Sequence, residues 1–189
     1  MTTDLVRHTA RAVDLSTLVV VTGAAAAIIA GVGTIDHAAV APTAQVCSGA
    51  LAAAAAIALR DPARELLAAA PMSPRLRMLQ RSALIVPATL IAAALLGVLA
   101  HGSIGGSVVE LFGIESVLAL VVAGFATTAC CARRWPDTAA GAGAALALAW
   151  ATVPMFAPGS ATWWWTLWAS HPWVVIVAAA AITWRASAN

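Results

Sequence analysis

The sequence contains no lysine, and all ten of its basic residues are arginine. That absence removes chemistry requiring an ammonium side chain, including the G-x-x-x-x-G-K-[ST] phosphate loop, so the chain cannot bind ATP by that loop. Charge of either sign is scarce, at 10% of residues against 62% hydrophobic. No soluble core of 189 residues needs such an excess, and the composition is that of a membrane protein. Cysteine is equally sparse. Cys47 lies inside an apolar run and Cys130 and Cys131 adjoin each other beside Arg133 and Arg134, which is neither a metal spacing nor a disulfide framework. No H-x-x-x-H or E-x-x-H spacing links His37, His101 and His171, and no metal site is expected. Paired aspartates on one helix, as metal-dependent lipid-headgroup transferases use, are missing too. Ser103 in HGSIGG lies between apolar runs and has no histidine placed as its base. The chain is expected to be no enzyme, to hold no cofactor of its own and to bind no nucleic acid.

What is present is a series of apolar runs near 15–33, 38–59, 83–101, 111–132, 138–157 and 171–184, each flanked by charge, Gly, Pro or Trp. About 20 apolar residues cross a ~30 Å hydrocarbon layer. Six such runs consume most of the length, so the expected fold is all-α: one polytopic transmembrane domain over 1–189. With the N-terminus in the cytoplasm, Arg7, Arg11, Arg60, Arg64, Arg75, Arg77, Arg81, Arg133, Arg134 and Arg185 all fall on the cytoplasmic side. The opposite loops, around 36–37, 101–107 and 158–171, carry no Lys or Arg, and the positive-inside rule then places both termini in the cytoplasm. The expected location is a bacterial cytoplasmic membrane. MTTDLVRHTARAVDL is read as retained, because no A-x-A site precedes a polar mature domain.

Residues 1–14 interleave Leu5, Val6 and Val13 with Arg7, His8 and Arg11. That pattern suits a short interfacial helix or, alternatively, a frayed basic tail that only orients the protein. Gly23, Gly31 and Gly33 in the first run, and Ala139, Gly141, Gly143 and Ala145 in the fifth, allow close helix approach. Pro87 and Pro154 are expected to kink or loosen their helices. The sixth run is short, at about 20 Å of helix, and PGSATWWWTLWASHPW precedes it with Trp165 and Trp168 among its tryptophans. This stretch reads either as an aromatic belt or as a segment that dips into the outer leaflet before the last span.

Glu110 and Glu115 open the fourth run. Counting back ~20 residues from Arg133 puts the boundary near 113, with Glu110 at the interface and Glu115 in the first membrane-embedded turn. An intramembrane carboxylate is a candidate for the substrate path; both glutamates otherwise snorkel outward and favour the helix N-terminus.

Half of the arginines crowd into RDPARELLAAAPMSPRLRMLQR, residues 60–81. Asp61 ends the second run, Pro62 suits a first helical turn, and Ala63 to Ala70 are good helix formers stopped by Pro71 and Pro74. The result is a short helix carrying Leu66 and Leu67, either an anchor on anionic lipid or a docking element. Arg64-Glu65-Leu66-Leu67, then Ala70-Pro71, then the basic run Arg75 to Arg81 resemble the loop between the second and third spans of exporter-type ABC transporter permeases. Six spans, an N-terminal amphipathic helix and a re-entrant segment before the last span are also features of that family, so the resemblance covers the whole chain by layout and the loop by motif. Two features differ: the chain is shorter than many such permeases, and Ala63–Arg64 replace the usual Gly before the Glu. The resemblance implies a coupling helix, with Asp61, Pro62, Arg64, Glu65, Leu66, Leu67 and Pro71 docking into a separate cytoplasmic ABC ATPase that binds ATP and Mg. It implies a pathway formed by a self-dimer or with a paralogous permease, in contact with membrane lipids. Two other readings stay open: a substrate-binding membrane subunit of a vitamin importer, and a membrane scaffold with no transport role.

Overall fold

The structure, a computed structural model, describes residues 15–59, 74–104, 114–132, 134–156 and 171–186. These residues are all-helical, with no strand among them. In chain order they form α1 (Ser16–Ile35), a 3-10 turn (His37–Ala39), α2 (Val40–Ala58), α3 (Pro74–Ile104), α4 (Ile114–Cys131), α5 (Ala139–Phe156) and α6 (Pro172–Ala186). Three segments, Ser16–Ile35, His37–Ala58 and Met78–Gly102, are long and apolar enough to cross a membrane, while α4, α5 and α6 contain shorter apolar helices. That composition is compatible with a membrane location. The expected interfacial helix over 1–14 lies outside the described residues, as do 60–73, Glu110, Trp165 and Trp168.

Local chemistry sets the helix ends. Asp36 adopts an extended conformation that ends α1, and its side chain then accepts a 2.9 Å hydrogen bond from the Ala38 N–H, capping the 3-10 turn. One residue thus closes one helix and starts the next, making α1 and α2 an antiparallel pair. Pro42 falls in the first turn of α2, where an N–H has no intrahelical partner to lose. Pro87, by contrast, sits inside α3, which runs as one helix from Pro74 to Ile104. At 31 residues α3 is about 46 Å long, well beyond a ~30 Å hydrocarbon layer. Between α4 and α5 the Cys131 carbonyl accepts from both the Arg134 and Trp135 N–H groups, and the Arg134 guanidinium stacks 5.5 Å from the Trp135 ring centroid.

The bundle is organised around α2 and α4. Helix α2 packs against α1, α3, α4 and α5, and α4 packs against α2, α3, α5 and α6. The core runs through Ile29, Leu51, Ile85, Leu96, Val117 and Val121, all fully buried. Between α2, α4 and α5 the helices approach through residues too small to hold them apart. A Cβ added at Gly143 would collide with Thr128 Oγ1 and stand 2.5 Å from the Gly124 carbonyl oxygen; one at Gly49 would collide with the Ala151 Cβ. Such close approach supplies van der Waals contact between helices. Gly143 lies beside Ala56, and Gly49 beside Ala147 and Ala151, so α2 and α5 run antiparallel. Of the glycines expected to permit close approach, Gly23, Gly31 and Gly141 would meet nothing within 4 Å, while Gly143 makes such a contact.

Candidate functional site

The candidate site is the junction between α2 and α3. The residues expected to dock, Asp61, Pro62, Arg64, Glu65, Leu66, Leu67 and Pro71, lie outside the described residues, but both flanks are described. On one side the Leu59 N–H bonds the Ala55 carbonyl at 3.2 Å and the Leu59 side chain is buried. On the other, α3 begins at Pro74 and carries Arg81, only 5% exposed. Arg81 shares one face of α3 with Ile85, Thr89, Ala92, Ala93, Leu96 and Ala100, all buried. The i, i+4, i+8 spacing of Arg81, Ile85 and Thr89 is the helical repeat of that face. A guanidinium on a core stripe is costly to bury and is retained where its donors are satisfied. Arg81 is therefore part of the bundle rather than of the solvated basic patch that its neighbours in sequence suggest.

The α2–α3 junction shares an end of the bundle with the α4–α5 turn. Ala56 near the end of α2 lies against Gly124 and Gly143, and Gly143 against Thr128, which brings Leu59 to the end where α4 closes and α5 begins. Arg134 and Trp135 are exposed in that turn. At the opposite end stand Asp36, His37 and Glu115, each exposed. Glu115 occupies the first turn of α4, where a carboxylate complements the partial positive charge of the helix N-terminus. Among the described residues no group of three or more His, Cys, Asp or Glu side chains gathers to hold a metal. Cys47 is buried, and Cys47, Cys130 and Cys131 are all free thiols.

The hydroxyls inside the bundle are satisfied by their own helices. Those of Thr22, Thr43, Thr89, Thr127, Thr128 and Thr183 donate to the carbonyl four residues back, and Ser48 to the Gln45 carbonyl three back. Gln45 differs from these hydroxyls. Its Nε2 is buried and has no hydrogen-bond partner among the described residues. Four residues before Gly49 on α2, it lies on the side that meets α5. Neither Gln45 nor the burial of Arg81 was foreseen from composition, though the spacing of Arg81 to Ile85 and Thr89 is visible in the sequence. The chain matches no protein-family model, no curated protein and no solved structure.

Proposed function

We propose that the chain is the membrane subunit of an ATP-driven exporter of the ABC type. The observation that carries this reading is the sequence Arg64-Glu65-Leu66-Leu67 and Ala70-Pro71 between the second and third helices, followed by the basic run Arg75 to Arg81 that opens α3. All six helices cross a bacterial cytoplasmic membrane with both termini inside. At 15 to 18 residues α4, α5 and α6 reach about 22 to 27 Å of a ~30 Å hydrocarbon layer. Two copies, or this chain and a paralogue, enclose the pathway. A separate ATPase dimer holds ATP and Mg, because this chain has no lysine for a phosphate loop.

Coupling follows from the junction. Leu66 and Leu67 enter an apolar groove on the ATPase, with Asp61, Pro62, Arg64, Glu65 and Pro71 around them. ATP draws the two ATPases together, and each short helix moves with its own. The displacement enters α3, one helix from Pro74 to Ile104 whose Arg81 is locked into the core stripe, and shifts the packing of the two copies between inward-open and outward-open arrangements. Such a switch requires differential affinity of the ATPases for the two states. An Ala- and Leu-rich path suits an amphipathic or hydrophobic cargo, a drug, peptide or lipid. Glu110, Glu115, Trp165 and Trp168 stand at its outer mouth.

Co-expression with the ATPase encoded beside this gene tests the reading. The expected result is a stable complex whose vanadate-sensitive ATP hydrolysis is stimulated by amphipathic compounds. A gene neighbourhood without an ATPase, together with no ATPase in affinity-purified membranes, rejects it.

A further inference from the structure

Arginine and tryptophan stand side by side twice among the described residues, as Arg134-Trp135 and as Trp184-Arg185. The first pair lies in the turn between α4 and α5, the second in the last turn of α6. All four residues are exposed, the two indoles by more than half. Tryptophan collects at the headgroup boundary, its ring against hydrocarbon and its N–H in the wet layer. An arginine fixed beside it is held at the depth of the lipid phosphates. The Arg134 guanidinium lies 5.5 Å from the Trp135 ring centroid, and stacked in this way it keeps its in-plane N–H donors for a second partner.

Helix α6 alone has a single close neighbour, α4. Val175 of α6 meets Leu120 and Ala123 of α4 around one crevice, so these residues lie level. From there α4 runs 8 to 11 residues to Cys131 and α6 runs 10 to Arg185. Ala179 is buried and Thr183 half-buried, so the packing persists toward the end of α6. With all six helices crossing the membrane, the reading proposed above on which this inference rests, α4 and α6 point the same way. Arg185 then comes level with the last turn of α4, beside Arg134. Packed helix axes stand about 8–10 Å apart, a gap that two arginine side chains close from either side onto one phosphate. Charge favours an anion at this end. The one acid described here, Asp137, is outnumbered by Arg75, Arg77, Arg81, Arg134 and Arg185, while the opposite end carries Asp36 and Glu115 and no described arginine. We infer that one anionic phospholipid binds across the two pairs, its phosphate between the Arg134 and Arg185 guanidinium groups. The lipid fastens the cytoplasmic end of α6 to the α4–α5 turn, where the helix has no second neighbour of its own. A zwitterionic lipid carries a cation beside its phosphate and gains less.

Native mass spectrometry of the detergent-solubilised full chain, with phosphatidylglycerol and phosphatidylcholine as probes, tests the site. Wild type is expected to retain phosphatidylglycerol about tenfold better than phosphatidylcholine. Arg134→Gln and Arg185→Gln are each expected to weaken retention of the same one phosphatidylglycerol, by about fivefold, and the double variant to lose no second lipid. Loss of two lipids from the double variant would mean two separate contacts and overturns the bridge. Unchanged retention in either single variant overturns it as well, as does equal retention of the two lipids. Inorganic phosphate at the lipid's concentration is expected to leave the lipid bound; displacement would make a free anion the ligand and contradict the inference. The topology is checked separately, by a protease site fused after Asn189, which should be cut in inside-out vesicles and not in intact cells. Cutting in intact cells refutes the topology and the bridge together, whereas a cytoplasmic Asn189 with two lipids lost refutes the bridge alone.

Discussion

Gly143 and Gly31 are both glycines within long apolar helices. A methyl group at Gly143 would strike Thr128 on the neighbouring helix, and at Gly31 it would meet open space. The same contrast separates whole helices. Of the membrane-length window on α2, 61% is buried, against 22% on α1. Yet α2 is the less apolar of the two, for it is built mostly of alanine and carries Gln45, where α1 has more valine and isoleucine. In water the most hydrophobic helix takes the centre. Where the surroundings are hydrocarbon, the amide of Gln45 on α2 gains from shielding, and the Val- and Ile-richer α1 can face outward. Val19, Val20, Ile28 and Ile35 of α1 are accordingly exposed.

The largest effect belongs to the closest approach. Gly143→Val is expected to cost about 3 kcal/mol or more, because the obstructing atoms include the Gly124 backbone, which cannot turn aside. The thermal unfolding midpoint in detergent, followed by circular dichroism, measures it. Gly49→Ala, whose new methyl meets only the Ala151 methyl and the edge of α5, is expected to cost about 1–2 kcal/mol. Adding Ala151→Gly should recover part of that loss, and a double-mutant coupling near zero would place the clash elsewhere. Gln45→Leu removes a buried amide whose Nε2 has no partner among the described residues, and is expected to raise stability by about 1 kcal/mol. Smallest is Gly31→Ala on the open face. The methyl meets nothing, so only helix propensity remains, a gain of about 0.5 kcal/mol. If Gly31→Ala proved as damaging as Gly143→Val, the contrast between the two regions would be gone.

The helices themselves were legible, since an apolar run of membrane length between charges or prolines has few other outcomes. The run expected at 38–59 is the 3-10 turn plus α2, ending at Ala58, and that expected at 138–157 is α5, ending at Phe156. The third helix exceeds its apolar run of 83–101 because Pro74 to Ser82 continue the helical backbone, whatever their charge. Which faces pack was not legible. In a helix where small residues abound, as in the run from Ala52 to Ala56 of α2, every spacing looks permissive, and only the partner helix distinguishes Gly49 from Gly23. Arg81 shows the same limit: its neighbours in sequence are basic, but its neighbours along the helical face, Ile85 and Thr89, are buried. The docking residues were read from motif alone, and they fall between the described flanks Leu59 and Pro74.

The most direct test of the central claim is therefore made within that interval. Leu66→Asp with Leu67→Asp, expressed in the full chain beside its neighbouring ATPase, should reduce the ATPase that copurifies by about tenfold or more, as expected when two leucines lose an apolar groove. The level of the membrane subunit should not change, because the packed core of α1 to α6 is built from other residues. Undiminished copurification would contradict the coupling assignment.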